Sequence, residues 1–527
     1  MNIRGWDSVV LVLYLAGMAA VGWKLARRQT STEAYFVARR SVTHWAMGLS
    51  LFATLISSIT FIAYPGSGFA GNWSELVPGF MVLVVLALVG GVVIPFYREA
   101  VGVSAYEYFG QRFGYGARAY AGLAFIAGHF SKMGFVLYLM ALTASSLTGW
   151  DLYLLLLLIA LVTLFYTWLG GLEAVIWTDV IQGLLMWLGA LVVLGLLWWQ
   201  MPGGLEAAIS CAAAANKFRL GSWTFNPADR TSFWVMSLYG FFWYLQKYGA
   251  DQTVVQRYLV ARSHREAFRG VALGALLCLP IWALFMFLGT LLWSYYQLGG
   301  APLPAAVLDA QGQVRADAVF PHFLATQVPT GLAGLFAAAL LGAGMSTLSS
   351  DLNCLAAVGV QDYYKRLRPQ ATDAQQLRVG RWLVLGSGLL ATGIAMVIAW
   401  RGERVLGFYY AVTSIVSGGL AGLFLLAFLS RRANRRGIWV GIGANLVFTA
   451  WAVLTSGRDP WLNLGSFNYP WAGVMIGVLG HGIVLGVGYL ASWCFPEEPR
   501  RGWTVWDWQR LRERAKRPAQ DSNPCTL

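Results

Sequence analysis

The sequence predicts an all-α, polytopic membrane protein of about thirteen transmembrane helices, and three observations predict it. Of 527 residues, 57% are hydrophobic and only 12% are charged, about half the charged share of an average soluble chain. Apolar stretches of roughly twenty residues, the length that crosses a hydrocarbon core of about 30 Å, recur from end to end. The basic residues, finally, gather in alternate connections between those stretches. Length therefore counts spans rather than soluble domains.

The spans follow in order. The first, 7–26, comes after a short polar start without a small-residue cleavage pattern, so it reads as a retained helix. The others are 44–70, 76–97, 119–148, 151–169, 174–199, 233–252, 267–298, 329–362, 380–400, 405–430, 437–456 and 472–495. Inside clusters include Arg27, Arg28, Arg39 and Arg40; Arg257, Arg262, Arg265 and Arg269; Lys365, Arg366 and Arg368; and Arg431, Arg432, Arg435 and Arg436. The positive-inside rule then places the N-terminus outside and the C-terminus in the cytoplasm, as an odd span number requires. The net charge of +14 is topological, and no nucleic-acid partner is expected. The expected setting is the cell membrane, plasma or inner, with the bilayer as partner.

Two outer connections, 200–232 and 299–328, are long enough to fold over the outer face. The tail 496–527 is basic and Trp-bearing, either an amphipathic piece on the inner leaflet or a solvated end. Five cysteines (Cys211, Cys278, Cys354, Cys494, Cys525) form no CxxC, so reduced thiols are expected, with neither disulfide nor zinc. No GxGxxG, Walker loop, nucleophile elbow or HExxH stands in a plausible context, so an enzyme is not expected.

Three places break the apolar pattern. In TWLGGLEAVIWTDVIQ, Gly170 and Gly171 end one stretch and the next opens near Ala174, which puts Asp179 about 8–12 Å into a membrane helix. An ionisable group there costs roughly 2.5–3.5 kcal/mol on insertion scales and usually faces a cavity or an ion path. In FATLISSITFIAYPGSGF, a polar patch (Thr54, Ser57, Ser58, Thr60) precedes Pro65, Gly66 and Gly68. A comparable break occurs at Lys247, Gly249 and Asp251 in the seventh span. Interrupted helices at matching places in two halves point to a transporter built from inverted repeats, although small residues in membrane helices also serve as plain packing surfaces.

Four stretches resemble the sodium:solute symporter family: GLSLFATLISSITF with PGSGFAG, TWLGGLEAVIWTDVIQ, GADQTVVQRYLVARSHREA, and LLGAGMSTLSSDLNCLAAVGVQDYYK. The resemblance runs from about residue 5 to 495. It implies a LeuT-like core of five plus five inverted-repeat helices at 40–430, with repeats at 44–199 and 233–430. A leading helix would lie within 1–30, two trailing helices within 437–495, and a cytoplasmic tail from 496.

The resemblance also implies a sodium-coupled symporter of a small polar solute, with Na⁺ as coupling ion and one copy of the chain sufficient for transport. The family's shared sodium site falls on carbonyls of Ala53 and Ile56 and on Ala343, Ser346 and Thr347. Residues 343, 346 and 347 share a helix face by their spacing, and oxygen ligands suit a hard cation. The bland alternative for the two hydroxyls is a bond back to an i−4 carbonyl. A second sodium site is implied at Asp179 with Ser346 and Thr347; otherwise Asp179 is a structural anchor or a proton-binding carboxylate.

The solute pocket is implied between the first, second, third, sixth, seventh and tenth core helices. Ser57 and Thr60 match the hydroxyl pair with which sialic acid carriers hold a carboxylate, Lys132 aligns with a basic residue of that pocket, and apolar Leu55 disfavours a neutral hexose. A carboxylated, sugar-acid-like solute is favoured, but lysine near position 132 also occurs in sugar-type relatives, and a neutral sugar or polyol symporter, a proton-coupled carrier or a transporter-like sensor stays open. Ser58, Phe241, Tyr244 and Asp251 complete the expected solute contacts, with Tyr409 and Tyr410 as gate residues. Asp351, one turn inward of Thr347, departs from the sugar-carrier pattern; it either attracts Na⁺ toward the inner exit or pairs with a cytoplasmic arginine.

Overall fold

The computed structural model describes residues 5–300, 302–309, 311–401, 415, 418–457, 460–497 and 503–516. Among them the chain is helical throughout, with isolated bridges but no named strand. The principal helices are α1 (Gly5–Ala26), α2 (His44–Leu55), α3 (Ser58–Ala70), α4 (Val77–Ala100) and α5 (Tyr115–Thr148). Then come α6 (Leu152–Gln200), α7 (Phe233–Ala250), α8 (Gln252–Val260), α9 (His264–Gly299) and α10 (Leu332–Val358). The rest are α11 (Asp373–Arg401), α12 (Leu420–Leu429), α13 (Arg435–Thr455), α14 (Val474–Cys494) and α15 (Val505–Lys516).

Among the described residues, eight helices are long and apolar enough to cross a membrane, and two bent pairs raise the count to ten. The difference from thirteen has identifiable sources. Two expected spans, 151–169 and 174–199, are continuous in α6, whose 49 residues would extend about 74 Å, far more than one crossing. The seventh span is divided at Asp251 into α7 and α8, and 405–414 and 416–417 of the eleventh lie outside the described residues.

The kink in α6 is at Gly171, with φ 53° and ψ −155°, a conformation essentially reserved for glycine. A Cβ there would stand 2.7 Å from atoms of Tyr35. Tyr35 in turn donates its hydroxyl to the carbonyls of Thr167 and Trp168, each at 3.1 Å, which the kink leaves without helical partners.

The first broken span divides earlier than its Pro–Gly run suggests. α2 ends at Leu55, Ile56 is extended (φ −86°, ψ 123°), and α3 starts at Ser58 with a 60° bend. Ser57 and Thr60 form a reciprocal capping box at the new N-terminus. Pro65 stays within α3, and the glycines serve close packing: a Cβ on Gly68 would meet Met286 O at 2.2 Å, and one on Gly289 would meet Pro65 O at 2.0 Å. α3 and α9 thus touch backbone to backbone.

α10 runs through the centre, buried at every residue from Phe336 to Val358. Its Ala, Gly and Ser positions let α5, α6 and α2 approach closely. In the two long connections, Gly204–Ala214 packs on α9, and Ala316–Gln327 packs on α3. Lys217, in the first of these connections, donates to Phe69 O at 2.6 Å, and burial lowers its ammonium pKa. It thereby caps the C-terminal end of α3, where unsatisfied carbonyls accumulate.

The described part of the tail, 503–516, is packed against the helices rather than solvated. Trp508 of α15 is buried and donates to Glu99 at 2.6 Å, Trp506 donates to Leu429 O at 2.8 Å, and Arg431 pairs with Asp507 at 3.2 Å. These bonds dock α15 on the ends of α4 and α12, because each indole finds an acceptor that a bilayer would not supply.

Candidate functional site

Helix ends meet hydroxyls where α2 crosses α10. Ending α2 at Leu55 leaves its last carbonyls without helical donors. The Ser346 hydroxyl stands 2.8 Å from Ala53 O and 3.1 Å from Ala343 O. The Thr347 hydroxyl stands 3.1 Å from Ala343 O and 3.5 Å from Thr54 O. All five expected positions, Ala53, Ile56, Ala343, Ser346 and Thr347, are buried. Two hydroxyl protons are thus shared among three carbonyls, and a surplus of oxygen lone pairs is left facing inward. The i−4 bond to Ala343 O is real for Thr347, but each hydroxyl also reaches a carbonyl of the other helix. Such a set suits a hard monovalent cation.

Asp179 lies on a neighbouring centre. Its Oδ2 accepts from Ser50 Oγ at 2.6 Å and pairs with Arg257 at 3.3 Å, while Oδ1 is buried without a partner. Arg257 also donates to Ser350 Oγ at 2.6 Å, Thr54 Oγ1 at 3.0 Å and Thr253 O at 3.0 Å. Both charged side chains are completely buried. This corrects the assignment of Arg257 to a cytoplasmic surface cluster. A guanidinium on the second turn of α8 faces the bundle interior, and it is tolerated there because a carboxylate and several hydroxyls meet it.

The expected solute contacts separate into two places. Ser57, Ser58 and Thr60 lie together at the N-terminus of α3, where Ser58 Oγ is buried and unpartnered. Lys132 and Asp251 belong elsewhere. Lys132 Nζ contacts Asp351 at 2.9 Å, and Asp251 accepts from Lys247 at 2.5 Å while capping α8 through Thr253 N at 2.9 Å. The partner of Asp351 is therefore Lys132 with His129, not a cytoplasmic arginine. Phe241 and Tyr244 sit in an aromatic run, with Tyr244 4.7 Å from Trp243 and 6.2 Å from Trp282 between ring centroids. Tyr409 and Tyr410 lie outside the described residues.

Sequence reasoning missed His129 and the interior role of Arg257. The rule that singled out Asp179, an ionisable group inside a span, applies equally to His129.

A family model described as the sodium:solute symporter family matches residues 35–443. The sodium/sialic acid symporter NanT of Aliivibrio fischeri is 32% identical over 492 residues, 92% of either chain. SiaT of Proteus mirabilis, also named a sodium/sialic acid symporter, is 33% identical over 84% of this chain and 88% of its own. A solved structure of a Na⁺-coupled sialic acid symporter, substrate-bound and outward-open, superposes with a TM-score of 0.84 at 31% identity, covering 93% of this chain and 98% of that one. The nucleobase-cation symporter Mhp1 in a closed conformation, at 16% identity, shares the fold (TM-score 0.53, covering 86% of this chain and 92% of its own). The expected LeuT-like architecture accords with these neighbours. By the extent of these matches, this chain belongs to the sodium:solute symporter family.

Proposed function

We propose that this protein is a sodium-coupled symporter that imports a carboxylated, sugar-acid-like solute of the sialic acid type. The observation that carries the sodium part is the oxygen-rich crossing of α2 and α10. Na⁺ would sit among the carbonyls of Ala53, Ile56 and Ala343 and the hydroxyls of Ser346 and Thr347. A second Na⁺ would use the unpartnered oxygen of Asp179 together with nearby hydroxyls. Entry of each Na⁺ down a potential of −100 mV releases about 2.3 kcal/mol, which drives the solute uphill.

The solute's carboxylate would be held at the N-terminus of α3 by Ser57, Ser58 and Thr60. A helix start within the membrane presents free N–H groups and a positive dipole end to an anion. Because the Lys132 charge is already met by Asp351, recognition of the carboxylate falls chiefly on that helix end. The likeness to NanT and SiaT supports the same solute class. Na⁺ bound between α2 and α10 would hold the path open outward, the solute would complete the pocket, and one helix group would then rock against the other. In this reading 44–199 and 233–430 are the two repeats, the N-terminus lies outside, and a single copy suffices.

The solute class is tested by thermal stability of the purified protein in detergent. In Na⁺, N-acetylneuraminic acid should raise the melting temperature, whereas glucose, mannitol and proline should not; in choline none should. Stabilisation by neutral sugars alone would overturn the carboxylate assignment.

A further inference from the structure

Packing divides the core into two groups. Helices α2, α3, α4, α7 and α9 pack chiefly on one another, and so do α5, α6, α10 and α11. His129, on α5, stands between the groups. Its Nε2 is 3.2 Å from Asp251 Oδ2 at the α7–α8 break, and its Nδ1 is 2.8 Å from Asp351 Oδ1 on α10. Lys247 holds Asp251 from within the first group, and Lys132 holds Asp351 from within the second. Of these four pairings, His129–Asp251 is the one that crosses between groups. A cavity of about 190 Å³ adjoins it, bounded by Phe125 and Lys132 on one side and Trp243 and Lys247 on the other.

Chemistry fixes the state of the ring. An ionised carboxylate only accepts hydrogen bonds, and a neutral imidazole donates from one nitrogen alone. Two carboxylates on one ring therefore require a proton on each nitrogen. The other charged groups facing the cluster are Lys132 on α5, Lys247 on α7, Asp251 on α8 and Asp351 on α10. Tyr106, close to Asp251, and Cys354, close to both aspartates, are the remaining titratable neighbours; Leu420 of α12 adds no charge.

We propose that doubly protonated His129 is the inner latch of the transport cycle. It is a positioning residue that ties the broken helix α7–α8 to α5 and α10, and it must release Asp251 before the path opens to the cytoplasm. Loss of the second proton turns one attraction into a lone-pair repulsion, so higher pH favours inward opening. The inference rests on the alternating-access reading above.

Ala124 is buried on the same cavity wall, five residues toward the inner end of α5. In a full-length Cys494→Ser, Cys525→Ser background, Ala124→Cys reports opening through its reaction with a membrane-impermeant thiol reagent in inside-out vesicles containing Na⁺. With every rate normalised at the same pH to that of the exposed Cys494 in the Cys525→Ser chain, which removes the thiol's own ionisation, labelling should rise about tenfold from the lowest to the highest pH at which the protein stays folded. Adding His129→Gln, whose amide donates from one side only, should make labelling fast at every pH. Adding His129→Arg, which can donate to both carboxylates at every pH, should keep it slow. Labelling of Ala124→Cys that ignores pH overturns the latch, even if neither His129 variant folds; so does an unchanged pH profile in His129→Gln. Vesicles with no Na⁺-driven uptake would instead refute the symporter reading, whereas pH-blind labelling with uptake intact refutes the latch alone.

Discussion

Ser346→Ala combined with Thr347→Ala should raise the Na⁺ concentration for half-maximal uptake by about 10–100-fold, equivalent to roughly 1.4–2.8 kcal/mol for two lost oxygen ligands. The two hydroxyls bridge α10 to Ala53 O and Thr54 O on α2. Removing them strips the proposed site of side-chain oxygens and leaves the carbonyls of α2 facing one another. The cavity created is small in both cases, so the variant should fold and still bind solute weakly at high Na⁺. Uptake measured against Na⁺ concentration in proteoliposomes checks this. An unchanged half-saturation would place the cation elsewhere.

Arg257→Leu should be the most destabilising single change in the core. Asp179 would keep Ser50 as its donor but lose its countercharge in a site with no access to water. Removing one partner of a buried ion pair costs about 3–5 kcal/mol. Substituting both, Arg257→Leu with Asp179→Leu, removes the uncompensated charge and should recover much of the folded yield. Monodispersity on size exclusion and melting temperature compare the two. The double variant also isolates the second ion: if Asp179 holds Na⁺, the Hill coefficient for sodium should fall from about 2 to about 1. Equal stability of the single and double variants would mean that the pair is not the support its burial indicates.

Much of this was legible in the residues because the membrane penalises irregularity. Gly170 and Gly171 announced the kink in α6, and Lys247, Gly249 and Asp251 announced the α7–α8 break, since polar or flexible residues within a span need a reason to be there. The α2 positions were reached through the family resemblance, and the break at Ile56 now accounts for them physically by freeing the carbonyls of α2. What misled was the weight given to Pro65 and the following glycines. Pro65 is the eighth residue of α3 and forgoes one backbone bond inside that helix without ending it, and Gly68 and Gly289 answer instead to the approach of α9.

Arg257 was misplaced because the positive-inside rule counts charges by position along the chain, whereas α8 continues the broken span and turns this residue inward. The partners of Asp351 were equally out of reach: His129 and Lys132 are about 220 residues away in sequence, and no local periodicity relates them. The docking of α15 likewise depends on Glu99 and Leu429, which only the tertiary fold brings to the tail.

The central claim is that oxygen atoms of α2 and α10 make solute movement depend on sodium. Uptake of labelled N-acetylneuraminic acid into proteoliposomes, under an inward Na⁺ gradient or with choline replacing Na⁺ at identical internal and external pH, tests it most directly. Accumulation above equilibrium with Na⁺, and only slow equilibration with choline, is the predicted result. Equal accumulation in both conditions would contradict it.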